Sequence, residues 1–525
     1  MEADATTLLN FMKDNQKNQL VIPIYQRLYS WGKEQCKQLW DDIIKIGGDD
    51  KMNGHFIGSI LYVLDGNKHS GNPLLIIDGQ QRLTTITLLL IALRDHLNDK
   101  DEFLEKFSHQ KIHNDYLINS DEKGDKKFRL ILSDSDKDTL LSLIDKDRRK
   151  PSEPSSKIVE NFKLFEEWVS KNTNKLETIF KGLEKLMIVE IALEKGKDDP
   201  QLIFESMNSK GIELTQADLI RNYIVMETEV EKQEDFYNQY WRAMEEEFKQ
   251  DKKQDKKQDK KLFDRFVRHY LTIKTREIPN LNRVYVAFKD YQQKEGIKIE
   301  ALLQDLQKYC GYFCQIAFKK EADKDLNKAL GFLVDLDNMD VVYPLLLELY
   351  SDYSDGVLSQ QDFISIIALT ESYLVRRAVC GLAINSLNKV FPSFTKHIQK
   401  DEYFKSLKAH FGYLTNNQRF PNNDEFKDRL ITIDFYKFKK NKYFLERLNF
   451  DPKEPVDTQK CNIEHIMPQN LTPEWKRDLG ENFQAIHEKY VHTIGNLTLT
   501  GYNPEYSNKS FQEKKIWKTA LNKAH

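Results

Sequence analysis

Between Cys461 and Lys514 the chain reads CNIEHIMPQNLTPEW, then VHTIGNLTLTGYN, then SNKSFQEKK, a concentration of residue types suited to phosphodiester hydrolysis. Glu464 and His465 stand side by side, Gly495-Asn496-Leu497 follow, and Asn503, Asn508 and Lys514 close the stretch. An imidazole can strip a proton from water near neutral pH. A carboxylate and amide oxygens beside it are ligands that a hard divalent cation accepts, with Mg2+ or Mn2+ the natural choices. Such a cation would hold the scissile phosphate and its leaving oxygen. The plainer reading makes EHIMP a structural turn and the asparagines coincidental.

Those residues need a strand, a return and a helix to hold them. The order resembles the HNH, or ββα-metal, nuclease fold, with the histidine on a first strand, an asparagine in the return and a last ligand on the following helix. EHIMPQ, HTIGNLTLTGYN and SNKSFQEKK together are similar to the C-terminal nuclease of the GmrSD class of modification-dependent restriction enzymes. The resemblance implies that His465 is the general base, that Glu464 is a metal ligand and that Asn496 positions the base or its loop. It further implies that either Asn503 or Asn508 completes the metal site, and spacing leaves both open. Ser507 fits a helix N-cap for NKSFQEKKIWKTALNKA, which would put Asn508 at a helix start facing the site.

A second motif lies near the N-terminus. The run PLLIID reads as a strand, DGQQRLTT follows, and ITLLLIALRDHL begins a helix at once. A glycine turn opening a helix directs free backbone N–H groups and the positive end of the helix dipole to one place, which suits an anion. Arg82 offers a planar fork for phosphate, and Gln80 and Gln81 offer paired donors and acceptors. The alternative is a turn carrying a surface arginine. IPIYQRLYSW and IDGQQRLTT resemble the GmrS-type N-terminal domain, related to ParB and sulfiredoxin and associated with nucleotide binding and hydrolysis. The pattern continues through FESMNSKG and LTQADLIRNYI. The residues implied are Tyr25, Gln26, Arg27, Asp78, Gly79, Gln80, Gln81, Arg82, Thr84, Asn208 and Gly211. In SspE-type relatives this domain is also implicated in sensing modified DNA.

The 525 residues are enough for about three domains. Hydrophobic residues at 40% and charged ones at 31% suit a soluble, helix-rich protein, and no apolar run is long enough to span a bilayer. The N-terminus lacks a secretory pattern, so the expected location is the cytoplasm. Five scattered cysteines suggest buried, reduced thiols, since no second pair joins Cys310 and Cys314 to make a zinc site. A net charge of -3 allows a local basic groove and excludes a uniformly basic coat protein.

Taken in order, the pattern predicts a short amphipathic helix within residues 1–20, an edge strand LVIPIYQR marked by Pro23, a helix over KEQCKQLWDDIIKI and a strand HFIGSILYVL. Residues 98–184 read as mostly helical, and KLMIVEIAL as a strand returning to the first sheet. Thr215 and Asp218 form a capping box for the helix after them. Three Gln-Asp-Lys-Lys copies from Gln250 read as a solvated helix face or loop. Helix then follows helix to about Phe450, and Arg376 and Arg377, inside an apolar helix, either pair with acidic residues across the bundle, the default expectation, or face a phosphate-lined groove.

The expected architecture is α+β and multidomain, with a ParB/sulfiredoxin-like nucleotide-binding and DNA-sensing domain over 1–230, an all-helical middle over 231–450 and an HNH-like nuclease over 451–525. The expected function is a modification-dependent, metal-requiring DNA endonuclease with NTPase activity in its N-terminal domain, acting against phage. Its cofactors would be Mg2+ or Mn2+ and a nucleoside triphosphate. Its partner would be modified phage DNA, with no membrane, and a homodimer would supply two sites for two strands. The competing classes are a nucleotide-dependent DNA-binding regulator without cleavage and an unconditional nuclease toxin.

Overall fold

The computed structural model describes residues 2–15, 17–64, 71–97, 107–194, 198, 203, 215–249, 256–336, 339–383, 386–394, 397–450, 458, 461–500 and 508–515. The chain forms two compact units, Met1–Glu245 with Phe288–Leu303, and Glu246–Ala287 with Gln304–His525. The whole is a mixed α+β protein, mostly helical. Among the described residues no helix is long and apolar enough to cross a membrane.

The first unit is built on a six-stranded sheet. Its strands are β1 (Glu2–Thr7), β2 (Leu20–Val21), β3 (His55–Leu64), β4 (Leu74–Asp78), β5 (Leu130–Ile131) and β6 (Leu186–Glu194), in the order β1-β6-β3-β4-β2-β5. The expected return of KLMIVEIAL holds, because β6 runs parallel to β3 and antiparallel to β1. Two expectations change. The strand over LVIPIYQR stops at Val21, since Pro23 has no N–H for a ladder. It is also not an edge, because β2 pairs with β4 on one side and β5 on the other.

Helix α1 (Leu8–Asp14) buries Leu8, Leu9, Phe11 and Met12, and α2 (Lys33–Gly47) buries Cys36, Leu39, Trp40 and Ile43 at helical spacing. Helix α3 (Gln80–His96) is buried nearly all round, which is why its sequence has no polar stripe. It packs against the helix Ser156–Lys171. Where α2 meets the helix Leu176–Glu184, a Cβ on Gly47 would lie 1.9 Å from the Thr178 carbonyl oxygen, so the close crossing requires glycine. The predicted capping box forms: Thr215 Oγ1 accepts from Asp218 N at 3.1 Å, and Asp218 Oδ2 accepts from Thr215 N at 3.3 Å. Tyr223, further along that helix, donates to Gln292 Oε1 at 2.7 Å.

Among its described residues the second unit is helical except for one hairpin, β7 (Asn462–His465) antiparallel to β8 (Leu497–Thr500). The later copies of the Gln-Asp-Lys-Lys repeat enter the helix Lys256–Thr275. Val379, Phe435, Phe444, Leu445 and Leu497 form one cluster, so the hairpin rests on the helices Gln360–Val379 and Asn441–Leu448. Arg376 and Arg377 correct an expectation, as neither meets a carboxylate. Arg377, 2% exposed, donates to the carbonyls of Asn417 at 2.7 Å and Ala383 at 2.8 Å. Arg376 donates to the Pro421 carbonyl at 3.1 Å and to Asn423 Oδ1 at 2.8 Å. The loops after the helix turn carbonyl oxygens toward both forks in place of an anion, leaving only the buried Arg377 Nε without a partner among the described residues.

Candidate active site

His465 ends β7 opposite Leu497, and strand alternation puts Glu464 on the other face of the hairpin. The His465 ring is buried at 5% exposure. Its Nε2 lies 3.2 Å from His492 Nδ1, and its Nδ1 lies 3.4 Å from Gln469 Nε2. The Tyr436 ring packs on both imidazoles, tilted at 4.6 Å from His465 and stacked at 5.5 Å on His492. Burial, then the neighbouring His492 and Lys514, lowers the His465 pKa from 6.5 to about 4 against the opposing pull of Asp434. The imidazole is therefore neutral at neutral pH, the form that can accept a proton.

Asn496 holds the loop in front of His465. Its Oδ1 accepts from Met467 N at 2.6 Å, while its Nδ2 donates to the carbonyls of Met467 at 2.9 Å and Val491 at 2.8 Å. The carbonyl of Asn496 takes Ile466 N at 2.8 Å and continues the ladder. Both ends of the connection between the strands are thus fixed at one side chain. His487 adds a contact from its Nε2 to the Pro468 carbonyl at 2.9 Å.

Behind the strand, Lys514 donates to Glu464 Oε1 at 2.8 Å and to the His465 carbonyl at 2.9 Å, and is itself 5% exposed. Its helix is placed differently from expectation. Ser510 N and Oγ both donate to Glu513 Oε2, at 2.9 and 2.8 Å, and helical residues begin at Phe511. Asn508 is therefore an exposed turn residue ahead of the helix instead of its first residue. The reason is that Ser510 with Glu513 makes a capping box that satisfies the first N–H groups one turn later. Trp475 Nε1 donates to the Lys509 carbonyl at 2.9 Å and anchors this segment. Asn503 and Ser507 lie outside the described residues.

In the first unit, β4 ends at Asp78 and Gly79 adopts φ 95°, which turns the chain directly into α3. A Cβ there would stand 2.9 Å from Ile60 Cγ1. Around this turn the predicted residues come together, some bonded to one another and others to the neighbouring Ser30, Trp31, Ser59 and Ile77. Gln81 Oε1 accepts from Ser30 N at 2.8 Å and Trp31 N at 3.2 Å, and Gln26 Nε2 donates to the Ile77 carbonyl at 3.0 Å. Gln80 Nε2 faces Gln26 Oε1 at 3.4 Å, and Thr84 Oγ1 donates to the Gln80 carbonyl at 2.8 Å. Arg82 donates to the Ser59 carbonyl and stands 3.8 Å from Asp78. Tyr25 is buried, which pushes its phenol pKa up. Asn222, with its amide nitrogen toward the Tyr25 carbonyl, ties that segment to the helix Gln216–Met226.

Arg27, Gln80, Gln81 and Thr84 line a shallow cleft with room for about one water, together with Tyr29 and the carboxylate of Asp136. Burial lowers the Arg27 pKa, while Asp218 and Asp78 oppose the loss of its charge. The Arg27 cation shares this small cleft with the Asp136 carboxylate. Asn208 and Gly211 lie outside the described residues.

A family model described as the N-terminal domain of GmrSD restriction endonucleases matches residues 8–225, and one described as their C-terminal domain matches residues 420–523. The chain belongs to the GmrSD family. The two spans together take in more than half of it, and no curated protein matches the chain. GmrSD membership makes it a DNA endonuclease of the modification-dependent restriction class. The GmrSD N-terminal span contains the whole Tyr25 to Thr84 constellation, and the C-terminal span contains Asp434, Tyr436, Glu464, His465, His492, Asn496 and Lys514.

Sequence reasoning left His492, Tyr436 and Asp434 without roles. The available signal for His492 was a second histidine just before the Asn496 loop; nothing in the spacing marks Tyr436 or Asp434. Among the described residues of this GmrSD protein, the only His, Cys, Asp or Glu trio with ligand atoms within 4.8 Å of one another is Glu247, Cys310 and Cys314, away from His465 in the sequence. Burial pushes the Cys310 thiol pKa well up, as for an inert core cysteine.

Proposed function

We propose that this protein is a type IV-like endonuclease that cuts modified phage DNA at an HNH-like centre, with His465 as general base. The observation that carries the reading is a buried, neutral imidazole at the end of a hairpin strand, with one nitrogen turned toward an exposed side chain. The hairpin followed by a helix from Phe511 supports the ββα reading. His465 takes the proton of the attacking water, the water oxygen bonds to phosphorus, and the leaving oxygen takes a proton from solvent.

Glu464 is a carboxylate of the kind Mg2+ or Mn2+ accepts, but it is paired with Lys514 on the face of the hairpin opposite the His465 ring, so a metal there would have to displace that ammonium. Glu464 would hold the ion with Asn503 or Asn508, and the bound ion would stabilise charge on the phosphate. Asn496 serves by shaping the loop. In the N-terminal domain, which we read as ParB/sulfiredoxin-like, Tyr25, Gln26, Arg27, Asp78, Gly79, Gln80, Gln81, Arg82, Thr84, Asn208 and Gly211 form a nucleotide or modified-DNA site. Arg27 at the cleft is the cation that an anionic ligand would meet, beside the Asp136 carboxylate. Nucleoside triphosphate binding or hydrolysis there would make cleavage conditional, and a homodimer would cut both strands.

The test is cleavage of paired plain and modified DNA by wild type and His465→Ala, with Mg2+ or Mn2+, with and without nucleotide. Cutting confined to modified DNA and lost in the variant supports the reading. Equal cutting by the two proteins removes His465 as the base.

A further inference from the structure

The two nitrogens of His465 are each in contact with one partner, and the partners differ in what they can do. Gln469 turns its amide nitrogen, a donor, toward His465 Nδ1, an arrangement in which Nδ1 presents its lone pair. A neutral imidazole then carries its proton on Nε2, and that N–H points at His492 Nδ1, 3.2 Å away. His492 must accept there, which places its own proton on Nε2. The reverse arrangement, with His492 donating, would put the His465 proton on Nδ1 against the amide N–H.

His492 is well held for this task. Its carbonyl accepts from Phe435 N at 2.8 Å and from Tyr436 N at 3.3 Å, and the Tyr436 ring stacks on its imidazole with a 16° interplanar angle. The Asp434 carboxylate interacts electrostatically with both histidines, and Lys437 N binds Asp434 Oδ1 at 3.1 Å. His487 and Lys514 are the other charged or titratable groups acting on His465. The Gln469 side chain, in contrast, is exposed, so the partner of Nδ1 can swing away while the partner of Nε2 stays fixed.

We infer that His492 is the positioning residue of the His465 base, accepting the Nε2 proton so that Nδ1 is held as the nitrogen that deprotonates water. This rests on the reading of His465 as general base. It gives the second histidine the orienting part that a carboxylate plays in a Ser-His-Asp triad. In the reaction the water proton moves to Nδ1 and the Nε2 proton stays on His465. The imidazolium so formed keeps its hydrogen bond to His492. No proton is transferred to His492, and the oxygen–phosphorus bond forms as the bond to the leaving oxygen breaks.

The inference is tested on the full chain with His492→Leu, His492→Asn and His465→Ala. Nitrogen-15 NMR of selectively labelled histidine reads the tautomer directly. Wild type should show a protonated Nε2 and a pyridine-type Nδ1 at His465, with the preference lost in His492→Leu. Cleavage is measured on plain DNA, DNA carrying glucosylated hydroxymethylcytosine and phosphorothioate DNA, with Mn2+ affinity measured alongside. His492→Leu should lower kcat by about 100-fold with KM and Mn2+ affinity little changed, the scale of a misplaced general base. His492→Asn, whose Oδ1 can accept at the place of Nδ1, should recover at least about 10-fold of that loss.

A wild-type Nδ1–H tautomer overturns the inference, as does His492→Leu with wild-type kcat, or a folded His492→Asn no better than His492→Leu. A loss explained by weaker Mn2+ binding overturns it too, because His492 would then be a ligand. If His465→Ala itself still cuts, the reading of the base fails first, and the tautomer measurement reports separately on the pair.

Discussion

Lys514 Nζ lies 2.8 Å from Glu464 Oε1 and 2.9 Å from the carbonyl of His465, so one ammonium clamps the carboxylate and the backbone of adjacent residues. The side chains of Lys514 and Glu464 are only 5% and 12% exposed. Removing one partner strands a charge in a poorly solvated place. Lys514→Met should therefore destabilise the second unit by about 3–5 kcal/mol, whereas an exposed pair would cost under ~1 kcal/mol. Urea denaturation followed through Trp475 fluorescence measures it. The double variant with Glu464→Gln should recover most of the loss; no recovery would mean that the pair is not what holds the strand.

The lowered pKa of His465 has consequences for pH dependence. The fold favours the neutral ring, so the unfolded chain protonates first as pH falls. Stability from this group is complete above pH 6.5 and is lost progressively down to about pH 4. For the same reason the acid limb of kcat/KM should have its midpoint near pH 4, well below the ordinary 6.5. Denaturation curves for wild type and His465→Asn between these limits, with a pH–rate profile, check both. A limb centred at the ordinary histidine value would show that the base is a more exposed group.

Asn496→Ala removes all three hydrogen bonds that join the Met467 and Val491 segments. Each buried group left unpaired costs about 1–3 kcal/mol, so cleavage and stability should fall together. Asn496→Asp is the sharper variant, since it keeps the acceptor for Met467 N but turns an oxygen toward two carbonyls. It too should be unstable at neutral pH in a thermal melt. A stable but inactive Asp variant would instead assign Asn496 a direct part in chemistry.

At the other site, Gly79→Ala combines a left-handed backbone with a Cβ 2.9 Å from Ile60. The expected cost is about 1–3 kcal/mol, with the start of α3 displaced. Gln81→Leu should cost a similar ~1–3 kcal/mol, because Ser30 N and Trp31 N lose their shared acceptor, while Gln81→Glu keeps it and should be milder. Calorimetry with ATP titrated onto each variant tests stability and ligand binding together. Equal effects of the Leu and Glu changes would count against the clamp.

Much of this was legible because local chemistry and tertiary structure agree. The Gly79 turn, the Thr215 capping box, the helical spacing on α2 and the strand before His465 are each specified within a few residues. What was not legible depends on distant partners. Strand β1 exists because Glu2–Thr7 meets β6 some 180 residues later, and β5 is only two residues long. Arg376 and Arg377 are satisfied by carbonyls of loops that no periodicity locates. The C-terminal helix starts at Phe511 because Ser510 finds Glu513, a box in place of the N-cap expected at Ser507. His492 and Lys514 become informative only when the hairpin brings them to His465.

The first unit's chain leaves after Glu245 and is rejoined by Phe288–Leu303, where Gln292 meets Tyr223, while Glu246–Ala287 belongs to the second unit. The two units are therefore interleaved along the sequence. No single cut yields both intact, so grafting the first unit onto another protein at one junction would carry a broken piece of each. During synthesis the first unit also cannot complete itself until the ribosome has passed Leu303. By then the first helix of the second unit, Lys256–Thr275, has already been made, while the hairpin that carries His465 is still nearly 160 residues away.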